Sequence, residues 1–132
     1  MASKPEDLRE RTKKFALRII RLFRALPRRG DAQVIGKQLL RSGTSVAANY
    51  RAACRARSRP EFAARVGIVM EEADETVFWL ELITESGMLP KSRLEPLLQE
   101  SRELAAIFTA SFGTARRKRP ITQLPDYPIT QS

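Results

Sequence analysis

The feature that most constrains this chain is a helical stripe between residues 35 and 56 that is polar at two of its inward positions. Residues three and four apart share one face of a helix. In this segment they are Ile35, Leu39, Ser42, Val46, Asn49, Ala53 and Ala56. A buried serine or asparagine without a hydrogen-bond partner costs about 1–3 kcal/mol. The stripe therefore predicts a helix in which Ser42 and Asn49 belong to a satisfied polar core network that fixes helix register.

Three further segments carry the same helical period, separated by residues that typically end helices. The predicted helices are residues 6–26, residues 31–57, a third helix that starts at the capping sequence 58–61 and ends near residue 86, and residues 92–116. Asp31 is the expected N-cap of the second helix, and Gly87 the C-terminal stop of the third. Pro96 conflicts with a start at Ser92, so the fourth helix is expected to begin irregularly or later. Gly36 and Gly43 inside the second helix predict close backbone approach.

The predicted fold class is all-α, an antiparallel up-down four-helix bundle formed by residues 1–119 as one domain. Residues 120–132 contain three prolines and no periodicity, which predicts a disordered or extended tail. No apolar run approaches the roughly 18 residues of a membrane-spanning helix, and no signal sequence is recognisable. With a single cysteine, Cys54, the chain has no intramolecular disulfide, so we expect a cytoplasmic protein.

The net charge of +9 is unevenly distributed. Residues 1–30 carry ten basic residues against three acidic ones, whereas residues 60–90 carry seven acidic residues against one basic. A basic surface of this size favours polyanions such as nucleic acid, although solvated helix faces are the alternative. The candidate nucleic-acid-binding residues are Arg11, Lys14, Arg18, Arg21, Lys37, Arg41, Arg51, Arg55, Arg116, Arg117, Lys118 and Arg119.

Residues for catalysis are missing from the sequence. The absence of histidine excludes Glu-x-x-His di-iron sites, Ser-His-Asp triads and histidine-dependent zinc sites. Nucleotide-binding glycine loops are also absent. Glu72 and Glu75 share one helix face. They act either as paired carboxylates, for acid–base chemistry or for binding a metal such as Mg²⁺, or as structural residues that pair with arginine or with the Ser42/Asn49 face. We predict the structural role, and therefore no catalytic residue, metal or cofactor, with Ser42, Ser45, Asn49, Glu72 and Glu75 as the polar set that fixes register.

The second and third helices each carry a second apolar face. On the second it contains Leu40, Ala47, Tyr50 and Cys54, and on the third Ile68, Trp79 and Leu82 beside the two glutamates. Large aromatic residues on a second helical face typically mark an interface. We therefore predict a homo-oligomer, with Tyr50, Ile68, Trp79 and Leu82 as candidate interface residues.

Three segments of the chain, residues 38–50, 53–58 with Glu61-Phe62, and 67–80, carry a family resemblance. Their pattern R-S-x-x-S-V-x-x-N followed by S-x-x-E-F resembles the small bacterial proteins named after the 23S rRNA intervening-sequence (S23) protein. Many relatives have Glu-Gly where this chain has Arg51-Ala52, which makes this surface more basic. The resemblance implies a ring-like homopentamer. It also points to accessory proteins of diversity-generating retroelements, which bind nucleic acid and a reverse transcriptase.

Two functions follow as hypotheses. The first is a non-enzymatic oligomeric bundle that binds RNA or DNA through phosphate contacts, with weak sequence specificity and strong salt dependence. The alternative is a protein-interaction scaffold or adaptor, for example for a reverse transcriptase or another polymerase. The expected partners are thus further copies of the chain, RNA or DNA, and a polymerase, with no membrane.

Overall fold

The chain folds into four α-helices, seen in a computed structural model that describes residues 5–117. They are α1 (Pro5–Ala25), α2 (Gly30–Ala53), α3 (Arg59–Ser86) and α4 (Lys91–Arg117). Each helix packs against the next one along the chain, α1 touches α4 only slightly, and the diagonal pairs make no close backbone contact. This arrangement confirms the predicted all-α four-helix bundle. The predicted tail, residues 120–132, lies outside the described residues.

One apolar stripe from each helix fills the centre of the bundle. The largest fully buried side chains come from all four helices and include Phe15, Ile19, Leu39, Val46, Val66, Val69, Leu80, Ile83, Leu94, Leu104 and Phe108. Burying a side chain of this size stabilises the fold by roughly 1.5–3 kcal/mol. The three- and four-residue spacing of these positions is the reason that the sequence folds as helices with one face inward.

Tyr50 belongs to this core. Its side chain is 4% exposed, and its ring centroid lies 5.2 Å from that of Phe108 across the diagonal between α2 and α4. The prediction that Tyr50 lies at an oligomer interface is therefore wrong. The physical reason is that the backbones of α2 and α4 do not approach closely, which leaves a space at the centre of the bundle that large side chains fill.

Both ends of α2 differ from the prediction. The N-cap is Arg29 in extended conformation, without a side-chain cap, and the Asp31 carboxylate accepts a hydrogen bond from the Ala32 amide inside the first turn. The helix ends at Ala53 rather than at residue 57. Ser58 is also extended, with φ −154° and ψ 163°, because it caps α3. The backbone must therefore leave the helical conformation before Ser58.

The two ends of α3 follow the prediction. The Ser58 hydroxyl accepts a hydrogen bond from the Glu61 amide at 3.1 Å, and the Glu61 carboxylate accepts one from the Arg57 amide at 3.0 Å. Pro60 lies in the first turn, where a missing N–H is harmless. Gly87 ends the helix with a positive φ of 76°, a conformation that glycine adopts without strain.

The fourth helix starts at Lys91, one residue before the predicted start, and continues through Pro96. A hydrogen bond from the Arg93 amide to the Pro90 carbonyl, three residues earlier, closes its first turn at 3.0 Å. Leu94, Leu97 and Leu98 are buried, whereas Pro96 is exposed. The apolar stripe thus anchors this turn, while the proline faces outward.

Close approach of α1 and α2 occurs at the two glycines inside α2. A Cβ atom on Gly43 would lie 2.8 Å from Ile19 Cγ1 and 3.0 Å from Ile19 Cγ2, and one on Gly36 would lie 2.5 Å from Leu26 Cδ1. These distances are shorter than real Cβ contacts, so side chains of α1 occupy the space that a larger residue would need. The prediction of close approach is confirmed.

Gly43→Ala is expected to destabilise the bundle by about 1–3 kcal/mol, because the β-branched Ile19 cannot swing away from the added methyl group. Gly30→Ala is the matched control: it places a methyl group where nothing lies within 4 Å, and it is expected to gain up to about 1 kcal/mol. Urea unfolding followed by circular dichroism measures both. A Gly43→Ala protein as stable as the wild type would contradict the close-packing account.

Candidate nucleic-acid interface

A groove of about 590 Å³ lies between α1 and the C-terminal half of α2. Long charged side chains line it on the α1 side, and small side chains of α2 leave the space open. The lining residues are Arg9, Glu10, Lys13, Thr44, Ala47, Ala48, Arg51 and Arg55. Arg55 lies in the turn directly after α2.

The register of the two helices brings the basic residues together. Gly36 meets Leu26 and Gly43 meets Ile19, so the helices are antiparallel, and the same register places the start of α1 beside the end of α2. Arg9 and Lys13 are four residues apart and so share one face of α1. Arg51 and Arg55 approach the same groove from the other side.

The groove carries four cationic side chains against one carboxylate, that of Glu10. Arg9, Lys13, Arg51 and Arg55 are exposed, and none of them forms an ion pair with another residue in the described part of the chain. Like charges held close together repel one another, and an anion between them relieves that repulsion. The groove is therefore suited to a ligand with more than one negative charge.

The predicted basic residues of α1 do not line this groove. Arg11, Lys14, Arg18 and Arg21 follow one another at helical spacing, and Arg11 contacts α4, so they lie on the flank of α1 that faces away from α2. The predicted basic residues of α1 and the basic residues that line the groove therefore lie on different flanks of α1. Sequence reasoning missed Arg9 and Lys13. The signal was available in the antiparallel hairpin that the short 26–30 turn enforces.

Arg11 is held by an ion cluster at the contact between α1 and α4. It donates to both oxygens of Glu100, at 2.7 and 2.8 Å, and to Glu103 at 2.8 Å. The hydrogen bond to Glu100 raises the pKa of Arg11 above its ordinary value. Hydrogen bonds from Gln99 and Arg11 lower the pKa of Glu103. Because Glu100 and Glu103 already pair with its guanidinium, Arg11 is a poor candidate for phosphate contact, contrary to the prediction.

Arg41 bridges both of the predicted paired glutamates. Its guanidinium lies 2.6 Å from Glu75 and 3.2 Å from Glu72, which joins α2 to α3. Hydrogen bonds from Arg41 and from the Trp79 indole lower the pKa of Glu75, and the bond to Glu75 raises the pKa of Arg41. Of the two alternatives for these acids, the structure shows pairing with arginine. Arg41 is therefore not one of the basic residues that lack an ion-pair partner.

The other basic candidates are scattered. Lys37 is exposed on α2, and Arg116 and Arg117 are exposed at the end of α4, where the Arg116 guanidinium lies 5.4 Å from the ring centre of Phe112. Lys118 and Arg119 lie outside the described residues. None of the described three lines the groove.

The polar stripe of α2 divides into two kinds of contact. Ser42 is fully buried, and its hydroxyl lies 3.0 Å from that of Thr76 on α3 and 3.3 Å from the Leu39 carbonyl. Asn49 is half-buried and donates to the Ser45 carbonyl within α2. The hydroxyl contact between helices therefore belongs to Ser42 and to Thr76, a residue that sequence reasoning missed.

The candidate interface residues of α3 lie on its outer side. Ile68 is 41% exposed, and Trp79 and Leu82 are half-buried. Phe78, which sequence reasoning missed, is 49% exposed, and its ring packs edge-on against Trp79 with the centroids 4.9 Å apart. The predicted ring-like homopentamer stays a prediction.

Within residues 5–117, no group of three or more histidine, cysteine, aspartate or glutamate side chains is placed to hold a metal ion. None of the helices in that range is both long enough and apolar enough to cross a membrane.

Fold and groove together define a small four-helix-bundle protein with an uncompensated basic groove. The profile of the family described as "23S rRNA-intervening sequence protein" matches residues 6–110. The chain belongs to this family, which confirms the resemblance seen in the sequence.

A solved structure supports the same assignment. A crystal structure of a protein with unknown function from the S23 ribosomal protein family of Bacteroides thetaiotaomicron is 32% identical to this chain. The match covers 84% of this chain and 99% of that one, with a TM-score of 0.77. No curated protein is significantly similar to the chain.

Glu75→Gln is expected to reduce the loss of stability in acid. Because its pKa is lowered from 4.5 in the folded state, Glu75 stabilises the fold above about pH 4.5 and loses this effect as the pH falls through the folded pKa. At neutral pH the cost is expected to stay below about 1 kcal/mol, since both partners are partly exposed and screened. Denaturant unfolding between neutral and acid pH measures this.

The control for that experiment is Glu71→Gln. Glu71→Gln makes the same change in charge on the same helix. Glu71 is exposed and forms no ion pair with any described residue, so its replacement breaks no such contact. Identical pH profiles of stability for Glu71→Gln and Glu75→Gln would contradict a stabilising pair between Arg41 and Glu75.

Two buried serines are expected to respond in opposite directions to replacement by alanine. The Ser101 hydroxyl is buried and has no hydrogen-bond partner among the described residues, so Ser101→Ala is expected to be neutral or to stabilise by up to about 1 kcal/mol. Ser42→Ala removes the contact with Thr76 and is expected to cost about 0.5–1.5 kcal/mol. Thermal and urea unfolding measure the stability of both variants. A larger loss in Ser101→Ala than in Ser42→Ala would contradict the hydrogen-bonding difference between the two hydroxyls.

Proposed function

We propose that the groove between α1 and α2 binds nucleic acid through its phosphates, without catalysing a reaction. The observation that supports this most directly is the set of four cations, Arg9, Lys13, Arg51 and Arg55, that surround one space without ion-pair partners among the described residues. Arg11 and Arg41 make a useful contrast, since their charges are satisfied by glutamates. Cations left unpaired next to a groove favour an anionic ligand over a merely solvated surface.

The lining of the groove favours contact with the backbone of a nucleic acid rather than with its bases. Among the described residues, no aromatic side chain lines it, so these residues offer bases no ring on which to stack. Four phosphate contacts predict that the logarithm of the affinity falls with the logarithm of the salt concentration with a slope of about −3 to −4. Binding of this kind is weakly sequence-specific.

RNA is the first nucleic acid to test, because the family's name refers to 23S rRNA. The homopentamer implied by the resemblance is part of the proposal, since several identical grooves on one particle would multiply weak phosphate contacts.

A protein-interaction scaffold is the second candidate function. The exposed aromatic and aliphatic groups on α3, Phe78 and Ile68, favour it, because large apolar side chains exposed on one helix face typically mark a surface for a protein partner. An adaptor for a reverse transcriptase or another polymerase belongs to this second candidate.

Replacing the groove cations is expected to weaken RNA binding and to flatten its salt dependence. In Arg51→Gln/Arg55→Gln, two phosphate contacts are lost, which is expected to reduce the slope by about 1.5–2 and the affinity by about tenfold or more at low salt. Fluorescence anisotropy with a labelled structured RNA, measured over a range of salt concentrations, gives both quantities. Arg9→Gln/Lys13→Gln is expected to behave in the same way.

The matched control is Lys14→Gln/Arg21→Gln, which removes two positive charges from the other flank of α1. It is expected to leave the slope nearly unchanged. Equal losses in the groove and control variants would mean that only the net charge matters, and binding that does not depend on salt would refute the phosphate contacts.

A further inference from the structure

The outer face of α3 combines exposed apolar groups with acidic ones. Residues at the spacing of one helix face are Ile68, Glu71, Glu75, Phe78, Leu82 and Glu85, and we call this set the outer α3 face. Phe78 is 49% exposed and Ile68 is 41% exposed. Trp79 packs edge-on against Phe78 at the border of the face. An aromatic pair that shares a helix face with the exposed Ile68 and the half-buried Leu82 is a surface that a second apolar segment would stabilise.

Acidic groups adjoin this aromatic pair. Glu71, Asp74 and Glu85 are exposed and form no ion pair with any described residue. Asp74 precedes Phe78 by one helical turn, and Glu71 precedes it by two. The face therefore suits a ligand that is apolar at one end and basic at the other.

The last residues of the chain have this chemistry. Residues 118–132 lie outside the described residues; they begin with Lys118-Arg119 and continue with the sequence Leu124-Pro-Asp-Tyr-Pro-Ile129. Proline-rich segments of the form Pro-x-x-Pro favour the polyproline II conformation and typically bind surfaces lined with aromatic side chains. A basic flank next to such a segment pairs with acidic groups beside the aromatic surface.

The tail starts within reach of the face. Gly67 contacts Phe112, and Arg102 pairs with Glu81 at 3.2 Å, so α4 is antiparallel to α3 and ends near the level of residue 64. Phe78 lies about 14 residues further along α3, which is about 21 Å at 1.5 Å per residue. The eight residues from Arg117 to Pro125 span about 25 Å at 3.1 Å per residue in polyproline II.

We propose that the outer α3 face is the docking site for residues 118–129 of the same chain. Tyr127 and its flanking prolines cover Phe78 and Trp79, and Lys118 and Arg119 lie beside Glu71 and Asp74. Counted from the end of α4, Lys118 and Arg119 precede Tyr127 in the tail, as Glu71 and Asp74 precede Phe78 on α3. This intramolecular contact is separate from the basic groove, which lies on α1 and α2. It assigns to the tail the α3 residues that were predicted at an oligomer interface, so the tail and a partner protein would compete for this face.

The test uses the full chain and its single tryptophan, Trp79, as the reporter. Tyr127→Ser/Pro128→Ala is expected to shift the Trp79 emission to longer wavelength and to raise acrylamide quenching about twofold, because the ring loses its cover. Thr130→Ala is the control within the tail, and it is expected to leave both unchanged. An unchanged spectrum and unchanged quenching in Tyr127→Ser/Pro128→Ala would overturn the proposal.

A second experiment approaches the contact from the helix. Phe78→Ser is expected to speed amide hydrogen exchange in residues 121–131 by about fivefold or more, because these residues lose a protecting partner. Leu17→Ser is the control, since it removes a similarly exposed apolar side chain (45% exposed) from α1. Equal exchange in the wild type and Phe78→Ser would overturn the proposal.

The concentration dependence identifies the occupant of the face. A contact within one chain gives Trp79 quenching that stays constant over roughly a hundredfold range of protein concentration. Quenching that falls as the concentration rises would assign the face to a second copy of the chain and overturn the proposed intramolecular contact.

Discussion

The hairpin of α1 and α2 depends on two positions at which a side chain of α1 lies directly against the backbone of α2. At Gly36 and Gly43, Leu26 and Ile19 take the space that a Cβ atom would need. This packing fixes the distance between the helices and also their register. The register then decides which residues face one another about two helical turns from Gly43, where Arg9 and Lys13 line the same groove as Arg51. The basic groove is thus set by uncharged residues of the core.

Charge in this protein has two separate uses. Some arginines hold the bundle together: Arg11 joins α1 to α4 through Glu100 and Glu103, and Arg41 joins α2 to α3. Such partly exposed pairs add little stability each, but they select which helix faces meet, because a slip in register would leave the glutamates unpaired. The cations of the groove have no such partners in the described chain, so their charge remains available to a ligand.

The ends of α3, which depend on contacts between residues close in the sequence, and the bundle itself were predictable from the sequence, whereas several contacts between side chains of different helices were not. Ser58, Glu61 and Gly87 set the ends of α3 through contacts within a few residues, and all three were predicted. Tyr50 was misplaced because helical periodicity gives the face of a residue but not the depth of the space in front of it. The groove was only half predicted, since Arg9 and Lys13 join Arg51 through the register of two helices, which a reading of one helix at a time does not contain.

The sparse contact between α1 and α4 has a consequence for how the molecule opens. Because α1 packs mainly against α2, whereas α2, α3 and α4 form a more tightly joined unit, α1 is the helix whose detachment costs least. One wall of the groove is α1 itself, so its detachment takes the groove apart. A ligand that contacts both walls would therefore bind only while α1 is packed, and it would stabilise α1 against detachment. Its observed affinity would in turn depend on the free energy that keeps α1 packed.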